Sequence, residues 1–91
     1  MRTQDGIGYL EGPITLKEAL AVRQEGEAMI ANGCAIVDLS GISRVDSSAL
    51  SVLLAWRRFA SNSGATVEFR NIPASLRSLI ELYGVNALVG S

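Results

Sequence analysis

Ile36-Val37-Asp38-Leu39-Ser40-Gly41-Ile42-Ser43-Arg44-Val45-Asp46-Ser47-Ser48-Ala49-Leu50 is the stretch on which the reading of this chain turns. An apolar, partly β-branched run from Cys34 to Leu39 lacks clean alternation, the signature of a buried central strand. Ser40-Gly41 interrupts it. Ile42 to Val45 then lead to three polar residues, Asp46-Ser47-Ser48, placed where a helical pattern begins and continues to about Asn62. Asp46 or Ser47 can cap the free amides of that helix's first turn. The same amides and the positive end of the helix dipole would also tolerate a phosphate on a hydroxyl there. Ordinary capping and a functional hydroxyl are both open readings of the turn.

Working outward, Ser63-Gly64 closes this helix, and Ala65–Arg70 alternates as a strand with Val67 and Phe69 facing inward. Asn71-Ile72-Pro73 turns the chain into a last helix ending near Tyr83. Leu76, Leu79, Ile80 and Tyr83 are spaced i, i+3, i+4, i+7 along it. Val85, Ala87, Leu88 and Val89 form an apolar tail expected to dock on a sheet edge. Upstream, Gly8–Ile14 reads as one or two strands with a turn near Gly12-Pro13. Thr15 and Glu18 have the spacing of a capping box. The helix it opens carries Leu16, Ala19, Leu20, Val22, Ala28, Met29 and Ile30, and Asn32-Gly33 stops it. Strands alternating with helices argue for an α/β layer with parallel strands and right-handed crossovers. With 91 residues, one domain over the whole chain is expected.

Composition excludes several classes of function. The net charge is −1, so nucleic acid is not the expected partner, because phosphate neutralisation needs clustered Lys and Arg. There is no histidine, which removes the commonest base, the commonest zinc ligand and any Ser-His-Asp triad. Lys17 is the sole lysine, and neither a Ser-x-x-Lys nor a Gly-x-Ser-x-Gly element surrounds the serines. A non-enzyme without metal or cofactor is expected. The one cysteine, Cys34, fits a small buried hydrophobe in a reducing compartment. Residues 1–6 contain no apolar signal-peptide core, and no apolar run approaches the ~20 residues of a membrane span. Membrane insertion is therefore not expected.

The helix after the turn carries Ala49, Leu50, Val52, Leu53, Leu54, Ala55, Trp56, Phe59 and Ala60, wider than one stripe needs. The surplus marks either a crowded core or a binding patch, and Trp56 suits both. Arg57 and Arg58 would form its polar rim.

Ile36-Val37-Asp38-Leu39-Ser40, Val45-Asp46-Ser47-Ser48-Ala49-Leu50, Leu10–Thr15 and Ser75–Val85 together resemble the STAS family, the sulfate transporter and anti-sigma-factor antagonist domains. The resemblance spans nearly the whole chain. It implies a small, mixed, mainly parallel sheet of about four strands, with three to four helices chiefly on one face. It makes Ser47 the position of the family's phosphoacceptor. One departure is Ala49, where the family motif has glycine; a small residue there keeps close approach of a partner open. Within the family the chain is most similar to MlaB-type subunits of bacterial Mla phospholipid ABC transporters. That resemblance implies a cytoplasmic accessory subunit, peripheral at the inner membrane through its partner, a transporter ATPase of the MlaF type. It would support the transporter's assembly or activity and outer-membrane lipid asymmetry, without an obligatory small-molecule ligand. Its expected partner-binding residues are Asp46, Ser47, Ser48 and Ser51, with Trp56 and Arg57 at the edge. The alternative is an anti-sigma-factor antagonist switched by phosphorylation of Ser47.

Overall fold

The structure, a computed structural model, describes residues 2–83. Seven elements follow one another: β1 (Arg2–Gln4), β2 (Ile7–Ile14), α1 (Ala19–Ala31), β3 (Ile36–Val45), α2 (Ser47–Asn62), β4 (Glu68–Arg70) and α3 (Ala74–Leu82). They build one four-stranded sheet in the order β1-β2-β3-β4. β1 and β2 are antiparallel, whereas β2, β3 and β4 are parallel. α1 and α2 are the crossovers of two successive β-α-β units that advance in one direction across the sheet. Right-handed crossovers of that kind place both helices on one face, side by side and roughly parallel.

The N-terminal turn differs from expectation. The chain reverses at Asp5-Gly6, not at Gly12-Pro13, and β2 runs unbroken through the latter. Asp5 (φ 54°) and Gly6 (φ 77°) both adopt left-handed conformations, with Gln4 paired to Ile7. That is the two-residue hairpin loop for which Asp-Gly is suited.

Ser40-Gly41 does not end β3 either. Tyr9 pairs with Asp38 but Glu11 with Gly41, and Gly12 with Ile42 but Ile14 with Val45. Twice, β3 spends one residue more than β2, so the polar pair marks a bulge, which bends a strand without ending it. Glycine is required at 41 because a Cβ there would stand 2.7 Å from the backbone oxygen of Leu10. β4 is shorter than the alternating pattern from Ala65 suggests, since only Glu68–Arg70 finds a partner, in Ile36–Asp38.

Both crossover helices end as expected, in a left-handed glycine: Gly33 (φ 99°) and Gly64 (φ 74°). Cys34 N–H donates to Met29 O at 3.0 Å and Ala65 N–H to Ala60 O at 2.8 Å, closing the paired hydrogen bonds of a Schellman end. Thr15 and Glu18 do pair, the Glu18 carboxylate accepting from Thr15 N–H at 3.0 Å. They close a turn ahead of α1, and regular helix starts only at Ala19.

The core is a single cluster between the sheet and the three helices. Val37 and Leu39 from β3, Leu53 and Trp56 from α2, and Leu76 and Ile80 from α3 are among its most deeply buried members. Cys34 is buried as expected. Trp56, left open between core and surface, belongs to the core: it is 0 % exposed. Its indole N–H donates to Arg23 O at 2.9 Å, and its ring fits against Gly26 of α1 and Phe69 of β4. Tyr83, expected on the buried stripe of α3, is 57 % exposed, whereas Leu76 and Ile80 hold the core contact. The tail from Val85 to Val89 lies outside the described residues.

Candidate functional site

Asp46 ends β3 in extended conformation (φ −133°, ψ −170°) and caps α2. One carboxylate oxygen accepts from Ser48 N–H at 2.8 Å. The other accepts from Leu16 N–H at 3.0 Å, thirty residues away in the turn before α1. A single side chain thus fastens the entrances of both crossover helices together. The Leu16 amide is the main cause holding the Asp46 carboxyl below its ordinary value, with the Ser48 groups adding to it against desolvation. The turn is an ordinary cap in its chemistry. Its added consequence is positional, since it fixes what stands between α1 and α2.

Ser47 occupies the first position of α2 and is exposed. Among the described residues no hydrogen bond engages its hydroxyl, whereas Ser48 is half-buried beside the Asp46 carboxylate. Ser47, Ser51, Leu54 and Arg58 form the exposed face of α2, at i, i+4, i+7, i+11. Ala49 faces inward and is 0 % exposed, so its small size serves the core contact and not a partner's approach.

An open groove of about 510 Å³ runs between α1 and α2. Ser48, Ser51 and Ala55 form its α2 wall, and Leu16 and Leu20 stand on the other side. Leu16 is 79 % exposed and Leu20 60 %, so two large apolar side chains lie in solvent next to the hydroxyl turn. Arg23 and Arg58 flank them.

The structure therefore brings together Asp46, Ser47, Ser48 and Ser51 and separates two expected members from them. Trp56 is sealed in the core. Arg57 points to the opposite side of α2, where its guanidinium lies 5.6 Å from the centre of the Phe69 ring, beside β4. Helical spacing explains this: Arg57 is six residues from Ser51, about 240° round the axis, whereas Arg58 returns to the Ser51 face.

Leu16, Leu20 and Arg23 line the groove without having been expected there, and Arg58, expected with Arg57 in a polar rim, is the one of that pair that does. In sequence Leu16 and Leu20 read as part of the apolar stripe of the first helix. Leu20 in fact lies about 130° round the helix from the buried line of Val22, Gly26, Met29 and Ile30. The signal was present in that displacement.

A second polar cluster lies at the β3–β4 end. Asp38 is 7 % exposed and accepts from Ser40 N–H (2.9 Å), the Ser40 hydroxyl (2.6 Å) and Asn71 Nδ2 (2.7 Å). Burial pushes its carboxyl up, but these donors and Arg70 together bring it below its ordinary value. The Ser40 donors hold the bulge of β3 and Asn71 ties β3 to the loop after β4, so the cluster has a structural role.

Residues 9–90 match the sequence model of the family described as "Mlab, STAS domain". No curated protein matches the sequence. Among solved structures, the chain is similar to the anti-sigma factor antagonist SpoIIAA in its unphosphorylated form, at a TM-score of 0.68 and 16 % identity. That match covers 91 % of this chain and 75 % of the other. At this identity it speaks for the fold, and the mixed, mainly parallel sheet with three helices agrees with it.

Proposed function

The chain belongs to the STAS domain family, and on that premise we propose that it is a non-catalytic accessory subunit that docks on the cytoplasmic ATPase of an Mla-type phospholipid ABC transporter. The observation that carries this reading is the exposure of Leu16 and Leu20 beside Ser47, Ser48 and Ser51. Large apolar side chains exposed to solvent beside a hydrogen-bonded turn are the material of a protein interface. The hydroxyls beside them give hydrogen bonds that set register. The family description, which names Mlab, supports the choice of partner. No helix among the described residues is long and apolar enough to cross a membrane, so attachment to the transporter would run through the ATPase.

Docking would supply binding energy only, with apolar burial giving affinity and the Asp46-fixed turn giving orientation. A phosphate on Ser47 would bring nearly two negative charges and a large desolvation cost to the centre of that interface. The test is calorimetry of the purified chain with the ATPase. Ser47→Asp and Leu20→Ser are each expected to weaken binding about tenfold or more. Wild-type affinity in both variants would remove the docking surface from this face.

The exposed, unengaged Ser47 hydroxyl favours a second reading, an anti-sigma-factor antagonist whose partner kinase phosphorylates it. Incubation with such a kinase and ATP, followed by intact-mass analysis, separates the two readings. One added phosphate, absent in Ser47→Ala, would select the second.

A further inference from the structure

The groove between α1 and α2 differs from the rest of the surface in charge as well as in exposure. The chain has net charge −1, yet the groove is lined by two arginines and no acidic side chain. Arg58 is exposed and, among the described residues, makes no ion pair. Arg23 has a loose one at 3.7 Å with Glu27, on its own helix and open to solvent, of the kind that contributes little. Asp46, the acidic group at the entrance, is turned to the amides of Leu16 and Ser48.

The order along the groove is also defined. Leu16 and Ser48 stand at the entrance, where both helices begin. Leu20, Ser51 and Ala55 follow. Arg23 and Arg58 lie beyond them, Arg58 about 15 Å along the helix axis from Ser48 at 1.5 Å per residue. A furrow between two parallel helices that is this long and apolar, with cations toward one end, has the shape for a third helix of about three turns.

We propose that the occupant is an acidic amphipathic helix of the partner, its apolar face on Leu16, Leu20 and Ala55 and its carboxylate on Arg23 and Arg58. This rests on the docking reading above and adds the chemistry of the partner segment. The charge pair sets direction, because a helix laid in the groove the other way round would leave its carboxylate beside Asp46. A membrane surface fits less well, since anionic lipid is held by clusters of four or more basic residues, and the groove carries two.

The experiment titrates the intact chain with the transporter ATPase by calorimetry at low and high salt, comparing wild type with the double variant Arg23→Glu/Arg58→Glu. Both arginine side chains are exposed, so an unchanged thermal midpoint checks that the variant folds. The expected result is at least a tenfold loss of affinity in the variant, together with loss of the wild-type salt dependence. Lysine substitution of the matching carboxylate on the ATPase should restore binding to the variant. If the ATPase binds the variant as it binds wild type, the acidic-helix assignment falls while the docking reading stands. If wild type fails to bind the ATPase at all, the docking reading falls and this inference with it. If phosphatidylglycerol vesicles sediment the wild type but not the variant, the groove is a lipid site and the proposal is overturned.

Discussion

Replacing Gly26 with alanine tests how the spacing of α1 and α2, and so the groove, is held. The new Cβ would stand 2.1 Å from Cε2, 2.2 Å from Nε1 and 2.4 Å from Cζ2 of Trp56. Carbon atoms rest at about 3.5–4.0 Å, so the indole or the helix must retreat by more than ~1 Å. Trp56 has no soft direction: it is 0 % exposed, its N–H is tied to Arg23 O, and the Phe69 ring centre is 6.3 Å away. Overpacking so constrained lies near the upper end of its usual range, about 3 kcal/mol. Alanine's better helix propensity returns about 1 kcal/mol, leaving a net loss of about 2 kcal/mol. For a domain of this size that is a fall in melting temperature of about 8–16 °C. Urea unfolding followed by Trp56 fluorescence reads the free energy directly. In a Trp56→Phe background, followed by circular dichroism, the cost should shrink to near zero or reverse, because the clashing part of the indole is gone. A Gly26→Ala protein as stable as wild type would refute the claim that this contact sets the distance between the helices.

Other outcomes follow from the same geometry. Asp46 and Asp38 titrate below the ordinary 3.8 in the folded protein. A depressed acid stabilises the fold above its unfolded value, and that contribution disappears as pH falls through the folded value. The urea midpoint should therefore be level near neutrality and decline from about pH 5 downward, and Asp46→Asn should flatten part of that decline. Gly41→Ala sets a Cβ against the backbone of β2 and should cost about 2–3 kcal/mol by urea denaturation, since neither strand can swing aside. Asn71 is left-handed (φ 55°) and also donates to Asp38. Asn71→Gly loses only the hydrogen bond, so Asn71→Ala should be less stable than Asn71→Gly by about 1 kcal/mol in the same assay.

Much of the fold is legible in local chemistry. Gly33 and Gly64 end their helices because the left-handed position after a helix favours glycine, and that preference is visible one residue at a time. The buried strand around Val37 and Leu39 and the capping role of Asp46 are legible for the same reason. Errors arose where two local signals competed. Gly12-Pro13 has the composition of a turn, although it is Asp5-Gly6 that suits a two-residue hairpin. Ser40-Gly41 has the composition of a break, yet pairing with β2 resumes at Gly41 and carries β3 on to Val45.

The site shows the same division. By itself the sequence determined the class of fold, the absence of the residues most chemistries need, and the hydroxyl turn Asp46-Ser47-Ser48, because composition and capping depend on residue type and near neighbours. Only tertiary structure decided which apolar residues face water. Trp56 is inside because Gly26 of another helix leaves room for it. Leu16 is outside in a turn whose amide is held by Asp46, thirty residues on. Arg58 and not Arg57 reaches the groove because the sheet sets the rotation of α2. Each of these rests on contacts between segments far apart in the chain, and a pattern of neighbours along the sequence does not contain them.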